Sequence, residues 1–597
     1  MSEQSIPELF WNRVAKHPDR TMQRSKKYGQ WMEASWKQVG EEVRGIGLGL
    51  VDLGHQPGDA VGLLSQSRAE WVRCDLGILS AGGVTIPVYP SLLPEQTQYV
   101  VDDSESKFLI VEDKSQLQKA IKIKPQLPNL KVLVVIDPSG CKLSDTIVSL
   151  EQLVARGKKR EKAELEARMA GIRRDQIATI VYTSGTTGNP KGVVQTHGNH
   201  LSATEAAASV GLGSEDDVDL LFLPLAHSFA RLEEYTQLRV GTTTAFAEKI
   251  ETVVENLAEV RPTIVFSVPR IYEKIYTKVQ AGAQQGPPLK QKIFAWSVGV
   301  GGQVSKLKQA RKPIPPMLAL QYKVAHKLVF SKLHEKLGGR LKYFISGGAP
   351  LAREIAEFFH AAGLLILEGY GLTETCPVLT VNRPEHYKFG SVGPALPGVE
   401  LKIAPDGEIL GRGPNVALGY FKREQDTKDA FLPDGWFATG DIGEIDGDGF
   451  LRITDRKKDL IVTSAGKNIA PQNIENLLKN DPLVSQAMAF GDKRKYITAL
   501  VTLDPEQAPV WAKANGIEAA SPEALASDPK VVARIQGVVD DVNKKLASFE
   551  QIKYFRIVPQ DFSIESGDLT PTLKVKRKVV TAKYQDLLDS MYTSQAE

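Results

Sequence analysis

Chemistry is most visible in the eleven residues Tyr182–Gly192, YTSGTTGNPKG. Four hydroxyls (Thr183, Ser184, Thr186 and Thr187) and the glycines Gly185 and Gly188 follow directly on the strand-like run IATIVY. A loop of this kind turns backbone N–H groups and hydroxyls toward phosphate oxygens, and each glycine removes a Cβ that would block the approach. Lys191 adds a compact positive charge. The string is not GxxxxGK[ST], because Pro190 stands where the second glycine belongs, and the chain contains no GxGxxG. Glu374 follows Gly371, Leu372 and Thr373 in a tight turn behind LILEGY. A carboxylate there can hold Mg²⁺, which binds through few protein oxygens plus phosphate. Asp441 and Arg456 flank a hairpin-like run and read, on their own, as a structural salt bridge. His227 in LPLAHSF is expected at a strand end. No second His or Cys stands at metal-ligand spacing from it, so a satisfied structural side chain is its simplest reading.

These residues need a frame, and the hydrophobic pattern supplies one. AVGLLS, VTIPVY, FLIVED and VLVVID alternate with helical segments between residues 60 and 136. A second series follows: IATIVYTS, DLLFLPL, TTTAFAE, TIVFSVP, KYFISGGAP and LILEGYG. That rhythm predicts mainly parallel sheets covered by helices, an α/β fold. Residues 1–60 read as short amphipathic helices and polar turns, with a helix over Val39–Leu53 stopped at Gly54. Leu76–Pro94 reads as buried strands and turns, and Glu151–Gln176 as a charged helix or linker. After about residue 390, Gly- and Asp-rich short strands predict a β-rich subdomain. The expected division is a large body over 1–455 and a small α+β domain over 456–597.

The chain has 597 residues, 42% of them hydrophobic and 24% charged. It is too long for one compact domain and too apolar for a disordered scaffold. With 74 basic and 71 acidic side chains and a net charge of +3, nothing argues for nucleic acid as a partner. Three cysteines without motif spacing make no disulfide framework, and the N-terminus lacks the apolar core of a secretory signal. A cytoplasmic setting without a transmembrane segment is expected.

The phosphate-loop string resembles the signature of the adenylate-forming superfamily of acyl-CoA synthetases, luciferases and peptide-synthetase adenylation domains. LPLAHSF, SGGAPL, YGLTET, TGD, DRKKD and TPTLKVKRK follow in that family's order, so the resemblance spans residues 182–578. KNIAPQNIE and the basic insertion at 282–342 resemble the long-chain fatty acid subgroup. The resemblance implies that Thr183, Ser184, Gly185, Thr186, Thr187 and Gly188 hold the ATP phosphates. Gly348, Ala349, Gly369, Tyr370, Gly371 and Thr373 would line the AMP site, with Tyr370 against adenine and Thr373 at the α-phosphate. Asp441 and Arg456 would grip the ribose hydroxyls, and Glu374 with Thr183 would bind Mg²⁺. Catalytic work is implied for Lys574, Glu374, Lys191 and His227, the last near the acyl carboxylate. Lys458 would be the hinge between domains, and Gly466 would face coenzyme A. The family usually has Gly just before its catalytic lysine. Here Leu573 precedes Lys574, which leaves Lys576 as a competitor.

The implied activity joins a long-chain fatty acid to coenzyme A through an acyl-adenylate, consuming ATP and releasing AMP and pyrophosphate. An acyl carrier protein as acceptor, a lipid-transport protein with ligase motifs, and an ATP-binding module without catalysis are the alternatives. Residues 303–342 hold ten Lys/Arg and one acid, with Val324, Leu328, Val329 and Leu333 at near-helical spacing. A solvated helix face is the ordinary reading of that run. Peripheral contact with an anionic membrane is the reading that a lipid substrate would suit.

Overall fold

The computed structural model describes residues 3–183, 189–464, 467–518, 521–570 and 574–593. Two eight-stranded sheets form the body. In one, the central strands Leu365–Tyr370, Tyr343–Ser346, Ile264–Ser267, Val218–Leu221 and Thr243–Phe246 run parallel. In the other, Ile177–Thr183, Val84–Val88, Ala60–Leu64, Phe108–Val111 and Val132–Val135 run parallel, and Lys191–Thr196 returns antiparallel to the first of them. Runs such as FLIV and VLVV are buried at every residue because helices cover both faces of a parallel sheet. Every strand predicted from the two series is present.

Two stretches differ from expectation, and a third is helical as expected but in two pieces. Thr21–Lys27 and Gln30–Ser35 form an antiparallel hairpin at a sheet edge, where only helices and turns were expected. Its side chains are mostly half-buried or exposed, so no apolar alternation marks it, and parallel pairing with Thr243–Phe246 holds it in place. The start of Leu76–Pro94 is the end of a helix, Ala69–Ser80, buried on nearly all sides and therefore without a readable period. Residues 151–176 hold two helices, Leu150–Gly157 and Lys162–Ala170.

Beyond the body, Glu400–Ile403, Glu408–Arg412, Phe437–Ile445 and Leu451–Arg456 make a four-stranded antiparallel sheet. The chain then forms a three-stranded sheet, Val484–Phe490, Ile497–Leu503 and Ile552–Val558, backed by helices Pro471–Lys479 and Pro529–Asn543. Its apolar residues, among them Ile474, Leu478, Val501 and Ile535, form a core separate from that of the body. Polar ties between this region and the body include Lys545 to Glu354 at 3.0 Å and Arg270 to Ser485 at 3.4 Å.

One buried ion pair fixes a helix that matters below. Arg231 Nη2 lies 3.1 and 3.2 Å from the two carboxylate oxygens of Asp75, and Tyr235 donates to Asp75 Oδ2 at 2.7 Å. It locks helix Ser228–Val240 to helix Ala69–Ser80. Removing one partner of a buried pair leaves a charge uncompensated, at a cost of about 3–5 kcal/mol.

Candidate active site

The two large sheets meet where strand Lys191–Thr196 passes the turn after Leu365–Tyr370. Gln195 Nε2 donates to the Thr373 carbonyl at 2.6 Å and fastens that turn to the neighbouring sheet. Thr183 ends its strand opposite Lys191 in register. Ser184, Gly185, Thr186, Thr187 and Gly188 lie outside the described residues, as does Gly466. Lys191 pairs with Asp426, and its ammonium sits 5.2 Å from the ring centroid of Tyr420. The Tyr420 hydroxyl donates to Glu374 Oε1 at 2.7 Å. Burial raises the Glu374 pKa, and the Tyr420 hydrogen bond works against that rise.

The turn depends on close backbone approach. A Cβ at Gly371 would lie 1.7 Å from the Pro377 carbonyl oxygen, so only glycine lets the chain fold back behind Thr373 and Glu374. Gly348 adopts φ +80° after strand Tyr343–Ser346, and Ala349 follows it, exposed. Gly369 and Tyr370 close strand Leu365–Tyr370 against Thr380–Val381.

Tyr370, Asp441 and Arg456 form one cluster. Asp441 and Arg456 face each other across adjacent antiparallel strands, with Nε–Oδ1 at 3.1 Å, and Tyr370 donates to Asp441 Oδ2 at 2.6 Å. The salt bridge expected from the sequence is present, and the tyrosine completes it. Burial followed by the Asp441 charge drives the Tyr370 phenol well above its ordinary pKa, so it stays a hydrogen-bond donor.

His227 does not end a strand, because the strand stops at Leu221. It caps helix Ser228–Val240, with Nδ1 accepting from Phe229 N–H at 3.2 Å. Burial first, and then the Lys574 ammonium, lower its pKa to about 4, so the imidazole is neutral near pH 7. Lys574 is tied to Thr570 twice: Thr570 N–H donates to its carbonyl at 2.8 Å, and its own N–H donates to Thr570 Oγ1 at 3.0 Å. The residue keeps solvent-exposed surface, yet protein crowds its amine. That crowding, together with the Arg456 charge, lowers its pKa to about 8 against the pull of Asp441 and Asp459. Of the two competing lysines, Lys574 is the one whose charge acts on His227. Lys576 instead begins helix Arg577–Lys583, its N–H donating to the Asp568 carbonyl at 2.8 Å. Arg577 anchors the segment to Glu475 at 2.6 Å. Lys458 is exposed in the turn after Arg456.

Sequence reasoning missed Tyr420, Asp426 and Gln195. None stands at a spacing that marks chemistry, and all three act through partners far away in the chain. Among the described residues no group of three His, Cys, Asp or Glu could hold a metal. The single carboxylate of Glu374, held by the Tyr420 hydroxyl, fits Mg²⁺ bound mainly through substrate phosphates and water. No helix among the described residues is long and apolar enough to cross a membrane.

Residues 10–421 match the AMP-binding enzyme family, and residues 458–596 match the AMP-binding enzyme C-terminal domain. The chain is 39% identical to the long-chain-fatty-acid–CoA ligase FadD15 of Mycobacterium bovis, over 99% of this chain and 97% of that protein. It is 34% identical to the long-chain-fatty-acid–CoA ligase ACSBG2 of Xenopus laevis, over 98% and 84%. In fold it resembles the adenylation domain of a Mycobacterium chelonae carboxylate reductase, with TM-score 0.78 and 22% identity over 98% of this chain and 91% of that one. The anthranilate CoA ligase AuaEII, solved with anthranoyl-AMP, gives TM-score 0.74 and 21% identity over 98% of both chains. This chain belongs to the AMP-binding enzyme family.

Proposed function

We propose that the protein is an ATP-dependent ligase that joins a long-chain fatty acid to coenzyme A. In the first half-reaction a fatty acid carboxylate oxygen attacks the α-phosphorus of ATP, and pyrophosphate leaves. In the second, the coenzyme A thiolate attacks the acyl carbon, and AMP leaves. Adenylation converts a poor electrophile into one with a good leaving group. The observation that carries the reading is that the Lys574 charge, from the C-terminal region, acts on His227, Arg456 and Asp441, and that the last two also act on Glu374, whose partner Tyr420 lies under Lys191.

In this reading Asp441 accepts from the ribose hydroxyls, with Arg456 and Tyr370 holding its carboxylate in place. Thr183, the hydroxyl loop and Lys191 take the phosphates, for which Lys191 must leave Asp426. Lys574 stabilises charge as it develops on the attacked phosphate, and neutral His227 borders the acyl carboxylate. Mg²⁺, held by Glu374 and Thr183, would neutralise phosphate charge when bound. Residues 1–455 form the large domain, and 456–597 turn about Lys458 so that Lys574 withdraws and Gly466 faces coenzyme A. We place the protein in the cytoplasm, in peripheral contact with an anionic membrane through residues 303–342.

Pyrophosphate exchange across a panel of carboxylic acids tests the proposal. Long-chain fatty acids should drive exchange, and coenzyme A should then yield a thioester of the expected mass. Exchange driven only by aryl or amino acids, or acylation of acyl carrier protein but not coenzyme A, would overturn it.

A further inference from the structure

The insertion at 282–342 folds as helices Pro288–Gln309, Pro316–Ala325 and Ser331–Lys336, the last two joined by a π-helical turn, His326–Phe330. The run from Pro316 to Lys336 is apolar on two sides. Ala325, Phe330 and Leu333 pack into the body. On another side Met317, Leu320, Val324 and Leu328 are each between 44% and 68% exposed. Their spacing of three and four residues gathers them into one stripe, which no described residue covers. Of the four apolar positions marked in the sequence, Val329 and Leu333 face the core, while Val324 and Leu328 face out.

Charge lies along the same surface. Residues 288–342 carry twelve Lys and Arg against one acid, Glu335. Lys323 and Lys327, both exposed, neighbour Val324 and Leu328, and neither forms an ion pair with a described carboxylate. A solvated helix face would not expose four large apolar side chains in register. A second copy of this chain is a poor cover, because a two-fold contact would set the same lysines against one another. Exposed apolar side chains framed by unpaired lysines suit a surface that is apolar beneath and anionic at its rim.

We propose that Met317, Leu320, Val324 and Leu328, with Lys323 and Lys327, form a docking surface for an anionic lipid bilayer. The apolar stripe enters the interface, and the lysines meet the headgroup phosphates. The reason for such docking, access to a lipid substrate, rests on the proposed ligase function, whereas the docking itself does not.

Co-sedimentation of the full chain with phosphatidylcholine vesicles, with and without phosphatidylglycerol, tests this at low salt. Wild type should bind the phosphatidylglycerol vesicles and lose them as salt rises. Each lysine near an anionic surface contributes about fivefold, so Lys323→Glu with Lys327→Glu should lower partitioning by about 25-fold or more. Leu320→Ser with Leu328→Ser should lower it by about tenfold or more, because two apolar side chains no longer gain by burial. Both double variants should keep wild-type thermal midpoints and wild-type pyrophosphate exchange with detergent-dispersed acid. Absence of wild-type binding, or binding unchanged in both variants, would overturn the proposal. So would a wild-type dimer that the leucine variant dissociates, since the stripe would then be a contact between copies. Vesicle binding without any acid-dependent exchange would leave the surface standing and refute the ligase reading instead.

Discussion

Replacing Lys574 separates the two half-reactions. Its amine titrates near 8 because protein crowds it and Arg456 repels the added proton, only partly offset by Asp441 and Asp459. At pH 7 about nine-tenths of free enzyme carries the ammonium, and at pH 9 about one-tenth. If that charge stabilises the adenylation transition state, kcat/KM for ATP should fall about tenfold between those pH values. Lys574→Ala should slow acyl-AMP formation by about 10²–10³, the usual worth of a preorganised charge, and should abolish this alkaline limb. Lys574→Arg keeps its charge across the range and should flatten the limb while retaining part of the rate. Pyrophosphate exchange reads the first step, and conversion of supplied acyl-AMP to acyl-CoA reads the second. The second step should be nearly unaffected in both variants. Equal losses in both steps would refute the argument, as would an alkaline limb that survives in Lys574→Arg. Normal adenylation in Lys574→Ala would transfer the role to Lys576.

Glu374→Gln should weaken the magnesium-dependent ATP step more than use of coenzyme A. Tyr420→Phe should raise the Mg²⁺ concentration needed for half-maximal exchange, because a hydrogen bond to a charged acceptor is worth about 1.5–3 kcal/mol; an unchanged magnesium titration in both would refute the positioning of Glu374. Lys458→Pro should spare adenylation and slow thioester formation, since proline fixes φ at the pivot; the same two assays read it, with the opposite pattern to Lys574→Ala. Glu368 is buried and holds its proton up to about pH 8, driven by desolvation against hydrogen bonds from the Leu351 and Gly390 backbone. The unfolded chain releases that proton near 4.5, so between these values the native state binds more protons and stability falls as pH rises, levelling off above 8. Glu368→Gln should remove this slope, worth about 1.4 kcal/mol per pH unit, and denaturant midpoints from pH 5 to 9 measure it.

What the sequence determines by itself is local. Each parallel strand is a short apolar run bounded by turns, so its burial can be read from composition, and the two strand series are legible in that way. The phosphate loop, YGLTET, TGD and the lysine-bearing tail are contiguous strings whose residue types declare their chemistry. Asp441 and Arg456 are close to this limit, since a single hairpin brings them face to face. Tertiary structure decides what depends on distant partners. Tyr420 reaches Glu374, Asp426 occupies Lys191, and Gln195 fastens Thr373, and no spacing rule relates these pairs because each joins separate elements. The Thr21–Ser35 hairpin carries little apolar pattern and is stabilised by pairing with a strand over two hundred residues away. The choice between Lys574 and Lys576 is also tertiary: both lie in one basic string, and only the fold brings the charge of Lys574 to act on His227. The insertion shows the division most clearly. Its sequence is equally apolar at Val324 and Val329, and the body covers one and leaves the other bare, because burial belongs to packing and not to residue type.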